Sequence, residues 1–140
     1  MKRRILLALA LWPTLAMAHS YKLNSLAIGH AWGLPTKNDE TQIFMPFLNL
    51  GTMTDRLIGV KTPSATGFAL RLNDDATTAP EAAFVLEPGK PMPMRPTARH
   101  ISLLNMAKPL AKGDQVSLTL VFEKAGETTI EVHIQDKAGE

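Results

Sequence analysis

A chain of 140 residues, 45% hydrophobic and 20% charged, has the length of about one domain and too much apolar content to stay disordered. It contains no cysteine, which excludes disulfides, thiolate metal centres and a cysteine nucleophile. Its formal charge of +2 points at first to an anionic partner, but the excess sits at one end.

Residues 1–18 begin Met-Lys-Arg-Arg, continue through an apolar run from Ile5 to Leu15 and close on Ala16-Met17-Ala18. A basic start, a short apolar stretch and a small-x-small end describe a secretory signal peptide, and the run is too short to span a bilayer of ~30 Å. The expected organisation is a signal peptide over 1–18 and one domain over 19–140, with no retained membrane segment. Of the 15 basic side chains, Lys2, Arg3 and Arg4 leave with the signal, so 12 face 13 acidic ones and the formal charge becomes −1. A near-neutral chain lacks the basic surface that nucleic acid requires. The expected location is the bacterial periplasm.

After the signal the pattern is β throughout. Strands are expected over Leu23–Ile28, Gln42–Leu50, Arg56–Lys61, Gly67–Leu72, Ala83–Leu86, Pro91–Met94 and Ile101–Asn105. Val116, Leu118, Leu120 and Phe122 alternate with more polar residues, as do Thr128, Ile130, Val132 and Ile134, and this period of two marks half-buried strands. Lys124-Ala125-Gly126-Glu127 reads as the hairpin loop between them, with Gly126 available for a positive φ. Breakers fall at Leu34–Asp39, Asn73–Asp75, Glu87–Lys90 and Lys112–Asp114. Pro46 implies an edge or a bulge within its strand. Short strands at this spacing predict an all-β sandwich or barrel.

Several segments in order resemble the periplasmic copper chaperone family written PCu(A)C. They are Tyr21-Lys22-Leu23 through His30-Ala31-Trp32, Asp55-Arg56-Leu57-Ile58-Gly59-Val60 with Thr62-Pro63, and His100-Ile101-Ser102-Leu103-Leu104 followed by Lys108-Pro109-Leu110 and Lys112-Gly113-Asp114. The resemblance implies a cupredoxin-like Greek-key β-sandwich or barrel, copper as Cu(I) or Cu(II), and delivery to an oxidase assembly factor or another periplasmic copper acceptor. It also implies a site built from a His, a Met about eleven residues later and a distal His-x-Met. His100 matches the distal His; Ser102 stands where the Met belongs, and Arg71 where the first His belongs.

The candidate ligands are therefore His100, Met92 and Met94, together with His19 and His30. Imidazole and thioether suit the soft Cu(I) ion. Met92 and Met94, two apart, are expected on one face of a strand leading to His100. His19, if it becomes the first residue, offers an α-amine and an imidazole to Cu(II), and His30 a third nitrogen. His133 is read as a polar-face residue of the last strand, and Met45 and Met53 as core and loop. No Gly-x-Ser-x-Gly elbow, His-Glu-x-x-His or phosphate loop occurs, and Asp39-Glu40 and Asp74-Asp75 are adjacent pairs that would point to opposite faces of a strand. The chain is expected not to be an enzyme. The alternative is an envelope interaction module that keeps the fold without the copper site.

Overall fold

A computed structural model describes residues 20–139. The expected signal peptide and His19 lie outside the described residues. Eleven strands run among the described residues: β1 (Tyr21–Leu23), β2 (Leu26–Ile28), β3 (Trp32–Gly33), β4 (Glu40–Phe44), β5 (Phe47–Asn49), β6 (Asp55–Lys61), β7 (Ala65–Arg71), β8 (Phe84–Leu86), β9 (His100–Met106), β10 (Gln115–Phe122) and β11 (Gly126–Ile134). β1, β2 and β5 form a small sheet, and the other eight form a large one in the order β7-β9-β4-β3-β11-β10-β6-β8. All pairings are antiparallel except β11 with β3. No helix among the described residues is long and apolar enough to cross a membrane.

The large sheet curls on itself, and one short connection requires this. β6 ends at Lys61 and β7 begins at Ala65, yet six strand intervals separate them in the sheet. Six intervals on a flat sheet span roughly 29 Å. The four peptide steps available reach at most ~14 Å. The two ends of the sheet must therefore approach, giving the barrel-like, cupredoxin-type all-β fold expected from the sequence. Its interior is filled by alternating side chains, among them Ile43, Leu57, Leu70, Ile101, Leu103, Leu118, Leu120, Ile130 and Val132, all buried.

Three expected strands take another form. Leu23–Ile28 is a tight hairpin, because Asn24 adopts a left-handed φ of 52° and reverses the chain between β1 and β2. Gln42–Leu50 divides at Met45-Pro46: β4 joins the large sheet and β5 the small one, so Pro46 sits where the chain changes sheets. Pro91–Met94 is not a strand. It touches the ladder only at Met92, whose N–H and C=O both bond Phe47 (2.9 and 3.0 Å). The β10–β11 hairpin forms as expected, with Gly126 at φ 93° opposite Phe122.

Asp55 ties that hairpin to the start of β6. Its carboxylate is buried and accepts the backbone N–H of Arg56 (2.8 Å), Lys124 (2.8 Å) and Ala125 (2.9 Å). Asp55→Ala leaves three amide donors without their acceptor. It is expected to lower the unfolding free energy by about 3 kcal/mol, read by urea denaturation, whereas Asp55→Asn, which keeps an acceptor oxygen, should cost less. A loss below ~0.5 kcal/mol in the alanine variant would contradict this role.

Candidate functional site

Strand register sets His100 in a row of residues on one face of the large sheet. Arg71 pairs with His100, and Ala69 and Gln42 both pair with Ser102. Continuing the β4–β9 register by one residue sets Phe44 opposite His100, and their ring centroids are 6.1 Å apart. Phe44 pairs with Trp32 (centroids 4.5 Å), and Trp32 pairs with His133 on β11. Directly opposed residues share a face. One row therefore reads Arg71, His100, Phe44, Trp32, His133 across five strands. The next row, Leu70, Ile101, Ile43, Gly33 and Ile134, turns to the other face; its aliphatic residues and the Phe44 and Trp32 of the first row all belong to the buried core. Gly33 has to be small there: a Cβ would stand 2.7 Å from Ile43 Cδ1 and 2.9 Å from the Gln42 carbonyl.

His100 is fully buried. Its Nδ1 lies 2.8 Å from the carbonyl of Ala98, which can only accept, so Nδ1 carries the proton. In the neutral ring the lone pair then stands on Nε2. That atom is buried and has no hydrogen-bond partner among the described residues, as is Ser102 Oγ two residues on. An unpaired buried polar atom costs about 1–3 kcal/mol, so each such atom calls for an explanation. A fixed tautomer with a bare nitrogen is the state in which an imidazole accepts a metal ion.

The loop between β7 and β8 is held against this face. Gln42 Nε2 donates to Asp74 Oδ1 (3.3 Å), Arg71 Nη1 donates to the Thr78 carbonyl (3.4 Å), and Glu81 N–H donates to the Leu70 carbonyl (2.7 Å). Inside the loop the Thr77 hydroxyl and N–H both donate to Asp75, which holds the Asp75 carboxyl below its ordinary pKa. Arg71, the cross-strand partner of His100, carries a permanent positive charge on this side of the sheet, its Nη1 held on the Thr78 carbonyl.

The remaining candidates are distributed otherwise. Met92 and Met94 are both buried in the hydrophobic core, on the irregular segment beside Phe47. His30 lies on the connection between β2 and β3, its ring stacked on His133 with centroids 5.6 Å apart and its Nε2 3.3 Å from Gln135 Oε1. Among the described residues no three of His, Cys, Asp and Glu converge to hold a metal ion. Sequence reasoning missed His133 as a neighbour of His30. The relation arises from the parallel pairing of β11 with β3, between strands a hundred residues apart, and local periodicity carries no trace of it.

Residues 26–134 match the family model described as LpqE-like. A curated protein of Leifsonia xyli subsp. xyli, Lxx21020, named as a lipoprotein, is 24% identical over 132 residues, 91% of this chain and 80% of that one. The apo PCuAC domain of PmoF2 superposes with a TM-score of 0.75 at 30% identity, over 86% of this chain and 98% of the domain. The copper-bound form of the PmoF2 domain gives 0.75 at 31% identity, over 84% and 97%. The Cu(I) form of DR1885 from Deinococcus radiodurans shares the fold at a TM-score of 0.63 and 18% identity, over 88% of this chain and 85% of that one. The chain belongs to the LpqE-like family and, by fold and sequence together, to the PCuAC-domain family.

Proposed function

We propose that this protein is an exported copper carrier of the PCuAC type, which takes up Cu(I) at His100 and hands it to an acceptor protein. The observation that carries this reading is the buried His100, its tautomer fixed by Ala98 and its Nε2 bare, in a chain 31% identical to a PCuAC domain solved with copper. Cu(I) is the cargo. It tolerates low coordination and neutral ligands, so one imidazole with soft or weak neighbours makes a site that also releases. Met92 and Met94, buried on the irregular segment that leads to β9, are the sulfur candidates. The terminal amine and imidazole of His19 and the ring of His30 would serve Cu(II). The apolar, basic-headed residues 1–18 and the lipoprotein name of the curated relative support export, here to the periplasm. An oxidase assembly factor is an acceptor of the right class.

Arg71 sets the expected strength. A guanidinium ~6 Å from a monovalent ion in a medium of effective dielectric ~20 opposes binding by about 2–3 kcal/mol. The site should therefore be weaker than one with His at that position, which suits transfer better than storage. The same arginine supports a second reading, in which the fold is kept as an envelope interaction module and copper is not carried. The two readings separate cleanly, because a ligand specific for the folded state must stabilise it.

Titration with Cu(I) under a competing chelator should give one ion per chain and a higher Tm. His100→Ala should abolish both, and an unchanged affinity in that variant would overturn the assignment. Arg71→Ala should tighten Cu(I) binding by about tenfold or more, following the charge it removes. Weaker or unaltered binding in Arg71→Ala would place the ion elsewhere.

A further inference from the structure

We infer that the cleft beside the turn preceding β9 is a docking site for an acidic segment of a partner protein, whose carboxylates the guanidinia of Arg95 and Arg99 hold. That the partner is the copper acceptor rests on the function proposed above; the site itself does not. The cleft measures about 480 Å³ and is lined by Leu72, Pro93, Arg95, Ala98 and Arg99. This lining carries two positive charges and no negative one. Its other side chains are apolar, and Leu72 is 43% exposed.

The turn that builds the cleft is strained. Arg95 N–H donates to the Arg99 carbonyl (3.1 Å) and Ala98 N–H to the Arg95 carbonyl (3.2 Å), so the chain reverses over Pro96 and Thr97 and sets the two arginines across from each other. Thr97 follows Pro96 with a left-handed φ of 67°, the place in a type II turn that glycine or asparagine usually fills. A β-branched residue there is an outlier, and such outliers gather at binding sites. Two like charges facing across a turn also repel. Among the described residues neither Arg95 nor Arg99 makes an ion pair that offsets this. Carboxylates on the neighbouring segments are engaged elsewhere, Asp74 by Gln42, Asp75 by Thr77 and Glu87 by Lys90, while Glu81 is exposed and makes no ion pair.

Arg99 is nevertheless anchored. Its guanidinium carbon lies over the Phe84 ring, 5.6 Å from the centroid, and its Nε is buried with no hydrogen-bond partner. A guanidinium fixed by an aromatic ring, with donors to spare, is preorganised for a carboxylate, which it can hold through two parallel N–H bonds. The aliphatic stem of a glutamate has Leu72, Pro93 and Ala98 to lie against. An acidic protein segment therefore fits better than inorganic phosphate, which has no apolar part to bury. Ala98, whose carbonyl fixes the His100 tautomer, lines the same cleft, so a partner docked here stands next to the ion site.

The test titrates the metal-free protein with a hexaglutamate peptide at low salt and follows the arginine Nε–H signals by NMR. The signals of Arg95 and Arg99 should shift together and saturate at one peptide per chain. Arg95→Gln and Arg99→Gln should each weaken binding by about fivefold or more, and Lys22→Gln, which removes an exposed cation on β1, by less than about twofold. Signals of Arg95 and Arg99 that do not move, or an equal loss in Lys22→Gln, would overturn the inference. Glutarate or inorganic phosphate binding as tightly as the peptide would overturn the assignment to a protein segment. Arg95 is exposed, so Arg95→Gln keeps the test decisive if Arg99→Gln, which loses the contact with Phe84, fails to fold. No copper is present, so a failure of Cu(I) to bind at His100 leaves these outcomes unaffected.

Discussion

The register of β9 between β7 and β4 is the constraint on which the rest depends. It sets Ile101 and Leu103 into the core and turns His100 and Ser102 to the other face. Side chains alternate with a period of two, so a slip of one residue would exchange these sets, moving the imidazole from beside Phe44 into the aliphatic row and Ile101 and Leu103 onto the face that His100 occupies. The register is thus held by the core, and the placement of His100 beside Arg71 and Phe44 follows from apolar packing. Pairing of β7 with β9 completes this face, and the curl of the sheet, required by the three-residue connection between β6 and β7, carries β7 back toward β6.

Across that face, two imidazole positions experience opposite electrostatics. His100 is buried, held in one tautomer by a backbone carbonyl and paired across the strands with Arg71. His30 and His133 are only half-buried, open to a cleft and flanked by an acid and a neutralised ion pair. Burial and a nearby positive charge favour an ion of low charge that needs few ligands. The aromatic pair Trp32–Phe44 separates the two environments and, lying within the core cluster, also fixes their distance.

Much of this was legible in the sequence. The long alternating runs of β10 and β11, the Gly126 turn and the all-β class follow from period-two patterning. The resemblance carried by Asp55-Arg56 and by His100 onwards identified the family, and the role of Asp55 as an acceptor for three amides gives a physical reason for an acid at that position. Other features were not legible. Pro46 signals an interruption, but the change of sheets it marks is a tertiary event. Met92 and Met94 alternate as a strand would, yet the prolines at 91, 93 and 96 remove ladder donors, so the segment keeps a single bridge and its methionines fill the core. The pairing of His30 with His133 depends on a contact between the two ends of the domain.

The central claim is that His100 Nε2 is the point at which this protein holds its ion. A crystal structure of the Cu(I)-loaded protein, with anomalous data collected at the copper edge, tests it most directly. The account predicts an anomalous peak ~2 Å from His100 Nε2, with the Ala98 hydrogen bond to Nδ1 intact. A loaded protein whose copper lies away from His100, with Nε2 still bare, would contradict it.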